Sequence, residues 1–248
     1  TVTANETLVI KSGEDTNIIG SQVKGDTVQM EVGGDLNIES LQDTENYKEK
    51  NTGLSAGISV GSSGVGVSGG ASRQDIKSDY KSVQEQAGIY AGEGGFDIEV
   101  SGKTDLKGAV IASEADPDEN RLSTGTLTYS DIQNKAEWEA NTIGVNVNTS
   151  FGNGDKAGDK TKNKGTSAPE NKDKGVTPNF GGSDGKAEST TKSAIEEGTI
   201  EIRDNPEQDI SDLSRDTANA NNPINPIFDR DKVLEKQEAA AVFGEIGF

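Results

Sequence analysis

The chain has 248 residues and a formal net charge of −19, and its hydrophobic fraction of 30% is too low for one large globular core. The negative charge argues against nucleic acid as a ligand, because phosphate backbones are bound by lysine and arginine. Cysteine and histidine are absent, which excludes disulfides, thiolate metal sites and Ser-His-Asp or Cys-His catalysis, and no cofactor is predicted.

Two copies of one motif occupy residues 7–38, and the offset between them is 20 residues. A period near 20, with short alternating runs separated by glycine, is typical of a solenoid of strands. One coil cannot cover its own apolar face, so neighbouring coils must stack edge to edge. The motif therefore predicts an all-β fold, a right-handed parallel β-helix. The aligned pairs are Leu8 and Val28, Ile10 and Met30, Gly13 and Gly33, Asp15 and Asp35, Asn17 and Asn37, and Ile18 and Ile38.

A predicted β-hairpin arm interrupts the repeat at about 45–85. Two alternating runs flank the small-residue turn Ser62-Ser63-Gly64, with aliphatic side chains on one face and glycine and serine on the other. This two-residue period is that of strand pairs in outer membranes, so contact with a membrane or a partner is one hypothesis for the aliphatic face. The favoured interpretation is that this face docks on the solenoid or on a neighbouring arm. The residues of this face are Leu54, Ile58, Val60, Val65 and Val67.

The repeat resumes at Ala87. Gly94-Gly95 followed by Ile98 matches Gly33-Gly34 followed by Ile38, and residues 122–131 predict a further coil. Beyond that coil, the alternation of Ile143, Val145 and Val147 predicts a strand that leaves the column as half of a second arm. The predicted β-helix thus occupies residues 1–151.

Residues 152–192 contain almost no apolar side chain, so they cannot bury enough surface to offset the entropy of ordering, and they predict a disordered linker. Residues 193–248 predict a junction with a short strand at 198–203 and a helix from about Lys232 to Phe243, capped by Asp229 or Asp231 and stopped by Gly244. Because the chain begins in mid-repeat, we expect it to be a piece of a longer protein.

Asp15 and Asp35 are the candidates for chemistry, since the repeat stacks one above the other. Paired carboxylates serve polysaccharide-cleaving enzymes on β-helices, and carboxylate oxygens also bind calcium. The competing interpretation is that both are turn residues that accept backbone hydrogen bonds. No basic or aromatic residue in the two aligned copies would hold a sugar, so this structural interpretation is favoured and the segment is predicted not to be an enzyme.

The coils that end Gly-Gly-Asp-Leu-Asn-Ile38 and Gly-Gly-Phe-Asp-Ile98 resemble the haemagglutinin repeats of filamentous haemagglutinin-like two-partner-secretion exoproteins. The arm and the segment 128–138, Thr-Tyr-Ser-Asp-Ile-Gln-Asn-Lys-Ala-Glu-Trp, resemble them too. The tail is similar to the approach to the pretoxin region of CdiA-type contact-dependent growth inhibition effectors. It contains Asp-Leu-Ser-Arg-Asp at 212–216, Asn-Pro-Ile-Phe-Asp at 225–229 and Gly-Glu-Ile-Gly at 244–247.

This resemblance implies a secreted segment at the bacterial cell surface that helps to move a C-terminal toxin across the outer membrane of a target cell. It implies as partners a CdiB-type transporter, the target outer membrane or a surface receptor, and a pretoxin and toxin domain in cis with its immunity protein. The Val-Glu-Asn-Asn motif of the family is absent from the sequence, so no toxic activity is expected of this segment. The alternative is an adhesin shaft that binds host or bacterial surfaces.

Overall fold

A computed structural model describes residues 1–61, 64–152 and 170–246, which form mainly β-strands and one helix. The chain divides into two compact units. The solenoid unit comprises Thr1–Glu45, Asp79–Ala136 and Lys186–Pro226, and the arm unit comprises Asn46–Ser78, Glu137–Gly185 and Ile227–Phe248. The predicted boundaries at 151 and 192 differ from this division, because the last coils of the solenoid are built from residues beyond 192.

The strands of the solenoid are β1 (Val2–Thr3), β2 (Thr7–Ser12), β3 (Thr16–Ile19), β4 (Gln22–Gly25), β5 (Thr27–Val32), β6 (Leu36–Glu39), β9 (Gly88–Ala91), β10 (Phe96–Lys107), β11 (Val110–Ser113), β12 (Asn120–Ser130), β15 (Ala194–Ile195) and β16 (Thr199–Ile202). The long strands of the arms are β7 (Asp43–Gly61), β8 (Gly64–Ser82), β13 (Ile132–Gly152) and β14 (Glu170–Thr191), and the helix is α1 (Arg230–Ile246).

The parallel β-helix is confirmed, and each full coil contributes to three walls. β2 pairs in parallel with β5 from Thr7 opposite Thr27 onward, and β3 pairs with β6 so that Asn17 lies opposite Asn37. Both registers carry the offset of 20 residues that the repeat predicts. The third wall is the sheet of order β1-β4-β9-β11-β15. The core is the column of apolar side chains that these walls enclose.

The third coil differs from its predicted register. Ile98 lies opposite Met30 rather than Ile38, because the single long strand β10 crosses two walls and its second half brings Leu106 opposite Ile38. The counterpart of the turn at Gly33-Gly34 is therefore Gly102, whose N–H donates to the Gly34 carbonyl at 3.0 Å. Gly94-Gly95, which the predicted alignment placed at this turn, lies instead at the preceding corner, just before β10.

The further coil predicted at residues 122–131 is the fourth coil of the solenoid, where Leu122 of β12 lies opposite Ile98. A further strand, β16, continues the stack with Ile200 opposite Leu122. Residues 209–219 lie beside these coils as turns, and the Ser214 carbonyl accepts a hydrogen bond from Ile195 N–H at 3.1 Å. The first part of the predicted junction is thus solenoid, because its short apolar strands are needed to cover the preceding coil.

Both arms leave the solenoid at equivalent corners, between the second and third walls. In the coils without arms this corner is a glycine in the left-handed region, Gly20 (φ 55°) or Gly108 (φ 53°). In the second and fourth coils the arms β7–β8 and β13–β14 are inserted there instead.

The strand β14 lies within the predicted disordered linker, of which residues 153–169 fall outside the described residues. From Thr177 to Ser189 the side chains alternate between half-buried and exposed, and the half-buried ones are small or polar. The composition argument failed here because an added strand gains backbone hydrogen bonds from its neighbour. It therefore needs little apolar burial of its own.

Candidate functional site: an amphipathic four-stranded sheet

The arm unit is built on a sheet of order β14-β13-β8-β7. Gly53 and Gly57 of β7 face Ser72 and Ser68 of β8, so residue numbers rise along one strand as they fall along the other. The same reversal relates β8 to β13 and β13 to β14. The strands are therefore antiparallel and run alternately up and down. The pairs that establish this are Gly70 with Asn146, Ser72 with Gly144, Thr142 with Gly181, and Trp138 with Gly185.

Residues that face one another across antiparallel strands point to the same side, and their immediate neighbours in sequence point to the other. The contacts above place glycine, serine, threonine and asparagine, together with Trp138, on one side of the four strands, which we call the small-residue face. The aliphatic and aromatic residues between them lie on the opposite side, the apolar face. The sequence predicted this segregation for the first arm, and the structure extends it across both arms.

The apolar face is exposed. Leu54 is 86% exposed, Ile58 77% and Val60 79%, so the described residues of the chain do not cover the predicted contact surface. Both interpretations of this face, contact with a membrane or partner and docking on the solenoid or on a neighbouring arm, stay predictions. Val176 and Phe180 were missed because their segment read as linker, although both obey the two-residue period. Among the described residues, the face has ten large apolar side chains: Leu54, Ile58, Val60, Val65, Val67, Ile143, Val145, Val147, Val176 and Phe180.

Charged residues bound the apolar face on the side away from the hairpin turn. Asp75 accepts from Arg73 at 2.9 Å and lies 3.9 Å from Lys50 Nζ. The hydrogen bond from Arg73 is the main reason that the pKa of Asp75 lies below its usual value. These side chains line a groove of 590 Å³ together with Ile143 and Phe180. Along the strands, this side of the sheet thus changes from apolar side chains near the hairpin turn to charged side chains farther from it.

The helix α1 belongs to the arm unit and packs on side chains of the small-residue face. Its residues Val233 and Leu234 join a cluster with Ile76 and Ala140. Asp229 caps the helix as predicted, since its Oδ1 accepts from Lys232 N–H at 3.2 Å. The predicted stop at Gly244 is wrong, because the helix continues to Ile246.

Aromatic rings complete this cluster, with the Phe228 ring centroid 5.1 Å from that of Tyr47 and 6.2 Å from that of Trp138. Arg230 holds the Glu49 carboxylate in a bidentate pair, with its Nε 2.8 Å from Oε2 and its Nη2 3.0 Å from Oε1. The hydrogen bonds from Arg230 lower the pKa of Glu49 to about 2. The pair fixes the start of α1 against β7.

Asp15 and Asp35 follow the structural interpretation. Asp15 Oδ1 accepts from the N–H of Asp35, and Asp35 Oδ1 accepts from the N–H of Lys103, both at 2.8 Å. Each carboxylate thus joins its own coil to the next one. Within the described residues no three acidic side chains gather as a metal site. Across the same ranges, no helix combines the length and hydrophobicity of a membrane span.

Comparison with known proteins identifies the repeat. Residues 1–54 match the Hemagglutinin repeat family. The whole chain is 43% identical to a tRNA nuclease CdiA of Escherichia coli (strain STEC_O31) and 43% identical to a deoxyribonuclease CdiA of Yersinia pseudotuberculosis serotype O:3 (strain YPIII). It is 41% identical to a 16S rRNA endonuclease CdiA of Enterobacter cloacae.

The chain spans 7% of the length of the Escherichia coli and Enterobacter relatives and 22% of that of the Yersinia relative. No solved structure matches it. The similarity covers the chain from end to end, including both arms and the tail, and agrees with the resemblance that the coils and the tail carry. The chain is a haemagglutinin-repeat segment of the CdiA type.

Proposed function

We propose that this chain is a non-enzymatic delivery segment of a contact-dependent growth inhibition exoprotein, and that its apolar face contacts the outer membrane of the target cell. One observation carries the proposal, the ten exposed large apolar side chains on one face of a four-stranded sheet. Scattered exposed apolar residues need no explanation, but a contiguous patch of this kind marks a contact surface.

The dimensions of the face suit a membrane. Leu54 to Val60 spans seven residues, about 20 Å along the strand. Apolar bands on outer-membrane strands are about 25 Å tall. Burying ten such side chains is worth on the order of 15 kcal/mol before opposing costs are subtracted. The charged side chains around Asp75 would then remain in water at the membrane surface.

The wider setting of the segment belongs to the same proposal. A CdiB-type transporter would export the longer protein to the cell surface, and a pretoxin and toxin domain with a cognate immunity protein would follow the segment. The toxic activities in the names of the relatives would reside in that toxin. The solenoid would act as a stiff support for the arms.

Vesicle flotation tests the membrane contact. The triple variant Leu54→Asp, Ile58→Asp and Val60→Asp places three charges on the apolar face. The matched control Ser55→Asp, Gly57→Asp and Ser59→Asp places them on the small-residue face of the same strand. We expect the first to abolish flotation with outer-membrane lipid vesicles and the second to retain it. Equal flotation of both variants would refute the proposal.

The same two variants, introduced into a full-length exoprotein, test delivery in cells. Target bacteria are fractionated after contact with producer cells, and the segment is followed in the target outer membrane by protease protection. The apolar-face variant is expected to stay outside and protease-sensitive. If both variants and the parent protein stay outside while the cells still adhere, the chain acts as an adhesin shaft.

One feature of the solenoid unit favours that second candidate. A groove of 660 Å³ lies on the outer side of the third wall, lined by Gln22, Tyr90 and Asn221 among other polar residues. The Lys24 ammonium lies 5.1 Å from the centre of the Tyr90 ring. Amides beside an aromatic ring can bind a glycan, so binding of surface oligosaccharides to the solenoid alone would support adhesion.

A further inference from the structure

Two lysines face each other across β7 and β8, beyond the end of the apolar face that lies farther from the hairpin turn. Lys50 lies opposite Asp75, with its Nζ 3.9 Å from Oδ1. Two residues further along each strand, the antiparallel register places Lys48 opposite Lys77, on the same side of the sheet. Like charges directly opposite each other are destabilising. An anion bound between the two ammonium groups would remove that cost.

The lysine pair belongs to a larger group of basic side chains. Neither Lys48 nor Lys77 takes part in an ion pair with any described residue. Lys50 and Arg73 share Asp75, and their side chains are 56% and 62% exposed. On the apolar-face side of β7 and β8, residues 48–77 thus carry four positive charges and one negative charge. We call Lys48, Lys50, Arg73 and Lys77 the basic cluster.

We propose that the basic cluster binds the phosphate groups of anionic phospholipid headgroups while the apolar face lies among the acyl chains. The inference rests on the membrane contact proposed above and names the lipid that this contact selects. A phosphate group between Lys48 and Lys77 accepts charge-assisted hydrogen bonds from both and cancels their repulsion. The planar guanidinium of Arg73 presents N–H donors in a fork that matches two phosphate oxygens.

The basic cluster lies at the level that headgroups would occupy. Ser72 faces Gly144, so Arg73 lies opposite Ile143, the large apolar residue of its strand nearest to this end of the face. From Arg73 to Lys77 the strand extends about 13 Å beyond that level. The headgroup layer is about 5–8 Å thick on each side of the hydrocarbon. Long lysine side chains bridge the remaining distance, because their apolar stems can lie along the sheet.

The composition of the chain does not explain this cluster, since acidic residues outnumber basic ones by 43 to 24. Trp138 faces Gly185, so Glu139 and Asp184 continue the row of the lysine pair on β13 and β14. The positive charge is therefore confined to the half of the sheet that β7 and β8 form. Acidic residues elsewhere repel an anionic surface, but charges more than about 8 Å away are largely screened at physiological salt.

Vesicle partitioning tests the recognition of lipid phosphate. The variant Lys48→Gln with Lys77→Gln removes two positive charges that hold no ion pair. The matched control, Lys232→Gln with Lys236→Gln, removes the same charge from α1, which packs on the small-residue face. The parent protein and both variants are floated at one salt concentration with phosphatidylcholine vesicles, whose headgroups have no net charge, and with vesicles that also contain phosphatidylglycerol.

A basic residue near an anionic membrane strengthens binding by about fivefold. We therefore expect the variant of the lysine pair to bind phosphatidylglycerol vesicles about 30-fold more weakly than the parent, and to float with phosphatidylcholine alone as the parent does. The α1 variant should match the parent with both vesicle types.

Equal binding of the parent and the lysine-pair variant to phosphatidylglycerol vesicles would overturn the inference and leave the membrane contact intact. Equal losses with both vesicle types would assign the lysines to folding and overturn it as well. A parent protein that floats with neither vesicle type would overturn both proposals.

Inorganic phosphate separates a lipid headgroup from free phosphate as the ligand. Added at constant ionic strength, it should not release the parent protein from phosphatidylglycerol vesicles, because the apolar contact holds the lipid phosphate beside the basic cluster. Release would assign the cluster to free phosphate and overturn the lipid assignment.

Discussion

The solenoid unit and the arm unit share the same two-residue alternation, but it buries the apolar side chains in the first and leaves them exposed in the second. In the solenoid, Ile98 and Leu106 are fully buried because the walls enclose a column that water cannot reach. In the arm unit, Leu54 and Ile58 are exposed on the apolar face of a single sheet layer. Alternation specifies a face for each side chain, and only the number of layers decides whether that face is dry.

The two units also differ in the space that surrounds their glycine residues. In the solenoid, glycine lies where one coil passes close over the next, as at Gly33, where an added Cβ would lie 2.5 Å from the Gly13 carbonyl oxygen. In the arm unit, glycine alternates with serine on the small-residue face, and Gly61 has open space around it. The solenoid therefore has no room for a side chain at Gly33, whereas the arm has room for one at Gly61.

The largest expected effect comes from paired truncations in the two units. Ile98→Ala should lower the free energy of unfolding by about 2–5 kcal/mol, because it leaves a cavity in the column. Ile58→Ala, the matched change on the apolar face, should change it by less than about 0.5 kcal/mol in water. Urea titrations followed by far-UV circular dichroism measure both. Equal losses would show that the apolar face is covered in solution.

Alanine at stacked glycines is the next test. Gly33→Ala should destabilise by about 1–3 kcal/mol, since the new methyl group meets backbone that cannot move aside. Gly13→Ala, one coil away at the same point of the repeat, meets nothing within 4 Å and should be neutral or slightly stabilising. Thermal unfolding of the two variants compares them. A loss at Gly13 as large as that at Gly33 would contradict the stacking.

The hydrogen bonds that the Asp15 and Asp35 carboxylates accept from the next coil provide a further test of the solenoid unit. Asp35→Ala removes the acceptor of the Lys103 N–H and should cost about 1 kcal/mol. Asp35→Asn keeps an oxygen acceptor and should recover most of that stability. Calcium should not raise the stability of the parent protein. The readout is thermal unfolding of the three proteins with and without calcium. A shift caused by calcium that Asp35→Ala abolishes would restore the metal interpretation.

The smallest expected effect is the pH response of the arm unit. The pKa of Glu49 is lowered to about 2 by Arg230, so its contribution is fully present above the ordinary pKa near 4.5 and is lost as the pH falls toward 2. The fluorescence of Trp138, the single tryptophan, should change over that window as α1 loosens. Glu49→Gln should flatten the change, and an unaltered titration would rule out Glu49 as its source.

The repeat alone predicted much of this fold, because stacking coils impose a fixed register. Leu8 meets Val28 and Asn17 meets Asn37 as the offset requires. The same reasoning misplaced Gly94-Gly95, since glycine pairs occur at more than one corner and β10 crosses two walls without a break. The composition of residues 152–192 also failed to predict β14. Composition indicates how much surface a segment can bury, but it does not indicate which sheet edge the segment can join.

The amino-acid sequence by itself determined the coil length, the alternation in the first arm and the absence of histidine and cysteine chemistry, since each follows from local spacing or composition. Only the tertiary structure decided that the hairpins β7–β8 and β13–β14 share one sheet, with Gly70 of one against Asn146 of the other. That pairing joins strands that are distant in the sequence, so no local pattern records it. Local sequence records each hairpin, and the contact between the hairpins exists only in the folded chain.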